Sequence, residues 1–367
     1  MAVDLGSIKF YLGPRDVDPA GPHSTLDDLE RTIVDFIDAA RETLDIAVQE
    51  LDNMPIAEAI VNAQLRGVRV RIVSEADYLV ETSPSADPFK ASPTLPFEQN
   101  RLIQMALLRA SAWVRTDFNA QIFHQKFIIR DGTAILTGSA NFTDTDTHMN
   151  LNHLVVIEDA EVAKEFSREY TEIRRGQFGR YSILPPGAGG HTLKPKELMV
   201  GDVRVKVCFA PDHGPEMEIM KQMLKARDRI DFAIFTFSGS SGIDDTMLTI
   251  HDRVRLRGLI DRGQGSAKYA PTKALAAAGI ELHYVGGNRK GIRKLHHKLM
   301  TIDDSLTIVG SFNYTEPANL YNDENIVVLG DLENPTPGQK AIALAARKEI
   351  DRIAADHGSP VPVPGLT

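Results

Sequence analysis

Apolar and polar positions alternate over residues 8–12, and apolar residues then recur at helical spacing at Leu26, Leu29, Ile33, Phe36, Ile37 and Ala40. This predicts a short strand followed by an amphipathic helix. Thr25 with Asp28 three places on has the form of a capping box, with Asp in place of Glu. LDIAVQ (44–49) reads as a buried strand. Pro55 opens a second helix carrying Ile56, Ala59, Ile60 and Ala63, Gly67 closes it, and VRVRIV (68–73) is the next strand. The succession is then written a second time. It runs through strand VRVKVCF (203–209), a helix bearing Met217, Met220, Met223 and Leu224, and strand IDFAIFTF (230–237). A helix near 246–253, strand VRLRGLI (254–260) and a helix over 271–278 follow.

Strands alternating with helices imply an α/β fold with a largely parallel or mixed sheet in each half. The 367 residues are enough for two domains or one large internally repeated one. The halves are placed at 1–180 and 204–367, joined by the Gly/Pro-rich stretch 181–203 as linker. A final helix over 337–355 leads to the tail PVPVPGLT, expected to be loose. The halves differ in length at one place. Asp45 lies 79 residues before His124, whereas the matching Asp231 lies 65 before His296. The excess falls mostly in the Ser/Pro-rich stretch 77–96, which reads as a long loop, either a lid or a solvated insertion.

Composition narrows the class. Hydrophobic residues make up 43 % and charged residues 25 %, which excludes a disordered chain or a fibre. No apolar run approaches the roughly 20 residues that cross a bilayer, and the start lacks the pattern of a secretory signal. The one cysteine, Cys208, cannot form an intramolecular disulfide. The expectation is a soluble, cytoplasmic protein. A net charge of −9 argues against a protein that coats nucleic acid, but not against an enzyme with basic groups gathered at one cleft.

The chemistry sits in a repeated motif. HQKFIIRDGTAILTGSAN contains His124, Lys126, Asp131, Gly138, Ser139 and Asn141, and HHKLMTIDDSLTIVGSFN contains His296, Lys298, Asp303, Gly310, Ser311 and Asn313. All six positions match at an offset of 172. A lone His-x-Lys means little, but six positions occurring twice is a strong signal. On a strand, His and Lys two apart point the same way. The chain then turns at the aspartate and returns as a neighbouring strand, bringing Ser and Asn beside them. An imidazole, an ammonium, an amide and a hydroxyl, doubled across a two-fold-like interface, suit a phosphate flanked by two histidines. No Cys or carboxylate cluster stands at metal-ligand spacing, and lysine is a poor companion for a cation. His297 reads as a satisfied or exposed residue on the opposite strand face.

These motifs resemble those of the phospholipase D superfamily, and the resemblance covers nearly the whole chain. It implies two α/β/α sandwich halves with mixed sheets, related by a pseudo-two-fold axis, with one active site between them and no dimer needed to complete it. It also implies metal-independent, cofactor-free phosphodiester cleavage through a covalent phosphohistidine. The family pattern places a carboxylate that orients each histidine eleven residues after the motif asparagine. That position is Glu324 in the second half and Asn152, a departure, in the first. Glu324 beside His296 would raise its pKa and suit it as general acid, leaving His124 as the nucleophile. Tyrosyl-DNA phosphodiesterases of the superfamily have a similar asymmetry. Lys126, Lys298, Asn141 and Asn313 would hold the phosphate oxygens. Ser139, Ser311 and Asn152 are assigned to substrate binding. Asp131, Asp303, Gly138 and Gly310 are assigned to structure.

The basic run GGNRKGIRKLHHK (286–298) sets Arg289, Lys290, Arg293 and Lys294 directly before the second motif, as a groove for a polyanion would require. FAPDHG…IDFAIFTF also resembles bacterial nuclease-type members. The expected function is a metal-independent, endonuclease-like phosphodiesterase with nucleic acid as its partner. The alternative is a phospholipase D or phosphatidyltransferase acting on phospholipid headgroups.

Overall fold

The computed structural model describes residues 3–17, 26–79, 97–179, 194–287 and 291–363. The first half contains strands β1 (Val3–Asp4), β2 (Ile8–Gly13), β3 (Thr43–Val48), β4 (Arg69–Ser74), β5 (Trp113–Thr116), β6 (Lys126–Arg130), β7 (Ala134–Gly138) and β8 (Asn150–Ile157). Its helices are α1 (Leu29–Asp38), α2 (Met54–Leu65), α3 (Glu98–Arg109), α4 (Asp144–His148) and α5 (Ala160–Arg175). The second half contains β9 (Glu197–Val200), β10 (Val203–Ala210), β11 (Arg229–Ile234), β12 (Arg255–Asp261), β13 (Glu281–Val285), β14 (Lys294–Leu295), β15 (Lys298–Ile302), β16 (Leu306–Gly310), β17 (Glu324–Gly330) and β18 (Ser359–Pro360). Its helices are α6 (Pro215–Lys225), α7 (Gly242–Ile250), α8 (Arg262–Gly265), α9 (Thr272–Ala277), α10 (Glu316–Leu320) and α11 (Pro337–His357).

The two sheets have the same wiring. One runs β1-β2-β8-β7-β6-β3-β4-β5, the other β18-β13-β12-β11-β15-β16-β17-β10-β9. The succession β2-β8-β7-β6-β3-β4-β5 thus matches β10-β17-β16-β15-β11-β12-β13. In both, the two pairs joined by helical crossovers are parallel and the motif strands are antiparallel. These are two mixed-sheet α/β halves related by a pseudo-two-fold axis.

Strand alternation explains how the layers stack. Leu44, Ile46 and Val48 of β3 join Ile33, Ile60 and Ile103 in an outer core beneath α1, α2 and α3. Ala47 faces the other way, into a core shared by both halves. That central core unites Phe127 and Val155, Phe166 of α5, Leu299 and Val327, and Ile350 of α11. Its two mirrored ion pairs, Arg71 to Asp45 at 2.5 Å and Arg257 to Asp231 at 2.8 Å, join neighbouring parallel strands.

Four local expectations differ from what is found. The cap of α1 is Asp28, which accepts from Arg31 N at 2.8 Å; Thr25 lies outside the described residues. α6 buries Ile219 and Met223, while Met217 and Leu224 face outward, because the helix is rotated toward its isoleucine. The end of the presumed linker is strand β9, paired to β10. The start of the tail is also tied down: β18 pairs with β13, and Val361 donates to Leu282 O at 2.9 Å. Most of the long loop, residues 80–96, lies outside the described residues. The helix that follows it, α3, was not foreseen, because its exposed face carries Leu102, Met105 and Leu108 and obscures the amphipathic period. Among the described residues no helix is long and apolar enough to cross a membrane.

Candidate active site

Each motif is a hairpin built on its own sheet, β6–β7 and β15–β16. Asp131 and Asp303 turn them in the left-handed region, at φ 52° and 49°. Asp131 Oδ1 accepts from Glu42 N and Thr43 N at 2.8 and 2.9 Å, and Asp303 Oδ1 accepts from Asp228 N and Arg229 N at 2.9 Å each. Burial alone would raise the Asp131 pKa, but the N–H groups of Thr43, Glu42 and Arg41 and the Arg130 charge hold it below the usual value. Asp131→Ala is therefore expected to cost about 1–2 kcal/mol in denaturant melts. A group with a depressed folded pKa stabilises above its unfolded pKa. The difference from wild type should thus be complete at neutral pH and vanish as pH falls through the lowered value.

Gly138 and Gly310 are needed for a different reason. A Cβ at Gly138 would meet His153 O at 2.2 Å, and one at Gly310 would meet Asn325 O at 2.3 Å, where the neighbouring strand passes close.

The two sheets meet through the residues just ahead of each histidine. β14 pairs in parallel with the start of β8, and His296 N donates to Leu151 O at 2.9 Å. In the mirrored place Phe123 bridges to Asp323, and His124 N donates to Asp323 O at 3.0 Å. Each histidine is thus laid against the other half's strand, and its ring finds its partner there. His124 Nδ1 is 2.7 Å from Glu324 Oε2, and His296 Nδ1 is 3.0 Å from Asn152 Oδ1. The expected pairing of Glu324 with His296 is corrected: the partners are crossed between the halves.

Behind the rings, Ser311 Oγ donates to Glu324 Oε2 at 2.6 Å and Ser139 Oγ to Asn152 Oδ1 at 2.7 Å. Ser139, Ser311 and Asn152 are fully buried. Their assignment to substrate binding is corrected, since their polar atoms are turned to the histidine partners rather than to a ligand. Lys126 and Lys298 each donate to the main-chain oxygen of their own histidine at 2.9 Å. Lys126 also donates to Gln49 Oε1 at 3.0 Å, whereas Lys298 lies 5.4 Å from the centre of the Phe235 ring. Asn141 is buried, and its N–H donates to Asp146 Oδ2 at 2.7 Å. Asn313 Oδ1 accepts from Thr236 N at 3.2 Å.

Burial dominates the electrostatics. It holds the pKa of His124 well below the ordinary value, with Lys126 and Lys298 adding to the effect. His296 is lowered in the same way, by burial and then by Lys298, Lys126, His124 and Lys294. Lys126 is pushed down to about 8 by burial, against the pull of Glu324, Asp146 and Glu50. Glu324 is pushed up to about 8 by burial, against Lys126, Ser311 and Lys298. A phosphate anion between the lysines would favour the protonated forms of all four bases.

Of the basic run, Arg289 and Lys290 lie outside the described residues. Arg293 is exposed, and Lys294 Nζ sits 5.2 Å from the centre of the Phe235 ring, which also packs edge-on to His296. His297 lies on the opposite strand face, buried and stacked on His153, with its Nε2 3.7 Å from Glu349. Sequence reasoning missed Gln49, Phe235 and Asp146, which carry no motif spacing. It also missed two carboxylate-rich groups, Glu30/Asp144/His148 and Glu169/Glu172/Asp212, neither of which contains a motif residue.

Fold and site together define a class: two-sheet α/β proteins whose paired His/Lys/Asn sets meet across a pseudo-two-fold axis. The family model described as "Cardiolipin synthase, PLD-like domain" matches residues 33–174 and 219–352, and the chain belongs to this family, within the phospholipase D superfamily. Its relatives include the human "Mitochondrial cardiolipin hydrolase", 30 % identical over 46 % of this chain and 60 % of that protein. The Xenopus tropicalis protein of the same name is 26 % identical over 36 % of this chain and 55 % of its own length. A "Phospholipase D" of Rickettsia bellii is 31 % identical over 38 % of this chain and 60 % of its own. The match thus spans little more than half of these relatives. Among solved structures, phosphatidylserine synthase of Haemophilus influenzae Rd KW20 shares the fold. Its TM-score is 0.66 at 12 % identity, covering 98 % of this chain and 89 % of that one.

Proposed function

We propose that this protein is a metal-independent phosphodiesterase that works through a covalent phosphohistidine. The observation that carries the reading is the crossed pairing: each motif histidine has Nδ1 engaged by a side chain of the opposite half, which leaves the chemistry to Nε2. In the first step His124 Nε2 attacks phosphorus. The bond to the leaving oxygen breaks, and His296 gives that oxygen its Nε2 proton. In the second step His296, now neutral, takes a proton from water as the water attacks phosphorus, and the P–N bond breaks. Lys126, Lys298, Asn141 and Asn313 hold the non-bridging oxygens through the five-coordinate transition state.

The crossing alters the grounds for these roles but not the roles. The ring that becomes phosphorylated acquires positive charge, and Glu324 stands at its Nδ1 to stabilise it. The ring that must release a proton is held by a neutral amide.

Nucleic acid is the substrate that the site's own side chains favour, because Lys294 and the Phe235 ring beside His296 offer a cation and a stacking face together. A phospholipid is the second reading. It is favoured by the names of the relatives and by an apolar cleft of about 550 Å³ between α2 and α3, lined by Met54, Ala57, Val61, Leu102 and Ile103. Single-stranded DNA, RNA, duplex DNA and phosphatidylcholine micelles, each with and without EDTA, test both. Activity is expected on a nucleic acid and is expected to survive EDTA; loss that one divalent metal restores would refute the chemistry. Replacing Arg289, Lys290, Arg293 and Lys294 with Gln should weaken strand binding. It should also flatten the slope of log K against log[salt] by about 0.7 for each residue that touches the backbone. Unchanged slopes with lost binding to anionic vesicles would instead favour the lipid.

A further inference from the structure

The two histidines have unlike partners, one titratable and one not. His124 has the carboxylate of Glu324 at 2.7 Å, while His296 has only the amide of Asn152 at 3.0 Å. Yet the charged form of the His296 ring is opposed first by burial and then by the lysines around it, Lys298 on β15, Lys126 on β6 and Lys294 on β14. A general acid must be protonated before it acts, and a neutral amide does not offset burial and three lysines.

Asp146 on α4 lies at the same place. It is 2 % exposed, and its Oδ2 is 3.5 Å from His296 Nδ1. It is held there firmly. Oδ2 accepts from Asn141 N at 2.7 Å, Oδ1 accepts from Asn150 Nδ2 at 2.5 Å, and Thr143 Oγ1 accepts from Asp146 N at 3.2 Å. Its main-chain oxygen accepts from Asn152 Nδ2 at 3.0 Å, and Asn150 O accepts from the same group at 3.3 Å. Those two bonds fix the amide so that Asn152 Oδ1 faces His296. Asp146 therefore sets the orientation of the amide and adds the charge that the amide lacks.

The pseudo-symmetry makes the point sharper. Shifted by 172, Asp146 falls on Ala318, a buried residue of α10, and Asn152 falls on Glu324. The second half thus pairs a small helix residue with a strand carboxylate. The first half pairs a helix carboxylate with a strand amide. One carboxylate per histidine is kept, but it has moved from strand to helix. We infer that Asp146 is the positioning residue of His296, holding that ring as an imidazolium with its Nε2 proton ready for the leaving oxygen.

The inference rests on the phosphodiesterase reading for its purpose but not for its test. With protein labelled with ¹⁵N-histidine and saturated with inorganic phosphate, the titration of His296 is followed by NMR. Asp146→Asn keeps an oxygen acceptor for Asn141 N and removes the charge. It is expected to lower the His296 pKa by about one unit or more, the shift typical of losing an opposite charge at this range. If a phosphodiester is turned over, the high-pH limb of kcat should move down by the same amount, with KM little changed. The double variant Asp146→Ala/Asn152→Glu rebuilds in the first half the Ala318/Glu324 arrangement of the second, and it should restore both the titration and the high-pH limb. An unchanged His296 titration in Asp146→Asn would overturn the inference, as would a folded double variant whose titration stays low. Failure of every phosphodiester assay would remove the proposed function and leave the titration result standing.

Discussion

Alanine in place of His124 is expected to abolish turnover of every phosphodiester, by about 10³-fold or more, because the group that would form the bond to phosphorus is gone. No covalent phosphoenzyme should then be trapped by acid quenching. His296→Ala is expected to be as severe on a substrate with a poorly acidic leaving group, which must be protonated as it departs. With an activated aryl leaving group, which departs without a proton, the same variant should still accumulate a phosphohistidine. Mass spectrometry of the quenched protein locates it. Phosphate on His124 accords with the mechanism, and phosphate on His296 in the wild type would reverse the two roles.

The second large effect is expected at Glu324, where activity and stability should move in opposite directions. The Glu324→Gln amide can turn its NH₂ toward His124 Nδ1, which then accepts, so that the proton sits on Nε2 and the attacking lone pair is lost. A drop in kcat on the order of 10²–10⁴ is expected, comparable to other histidines held in the wrong tautomer. Stability should rise instead. The folded-state pKa of Glu324 is pushed up to about 8, chiefly by burial, while its unfolded value is the ordinary one near 4.5. Between these values the folded protein holds the proton more tightly than the unfolded chain, so the contribution of Glu324 falls as pH rises through the window. The glutamine has no such penalty. Its melting temperature should exceed that of wild type at pH 8 and match it more closely near pH 4.5. A variant less stable than wild type at pH 8 would contradict the burial argument.

The serines are a useful contrast between what residue type suggests and what position decides. A hydroxyl beside a lysine and an asparagine in the repeated His/Lys/Asn motif suggests a ligand contact. The close approach of β8 to Gly138 and of β17 to Gly310 draws Ser139 and Ser311 under the histidines instead. There they donate to Asn152 and Glu324, and accept in turn from the main chain at His153 and Asn325. They help to orient the rings at one remove.

Much was legible in the order of residues alone, because it depends on short-range periodicity. Period-two and period-3.6 patterns placed the main strands and helices of both halves, and the offset of 172 disclosed the internal repeat and the two His-x-Lys hairpins. Aspartates at the turns and glycines before the serines stood where local backbone geometry demands them. The tertiary structure alone decided which half serves which histidine. The chain around His124 and His296 pairs with a strand more than 140 residues away in sequence, so nothing in either motif's own spacing records that the partners cross. Asp146 escaped notice for the same reason. Its charge matters only because α4 and β8 of one half are packed against β14 of the other, and contacts formed by packing two repeats together leave no period in the sequence of either.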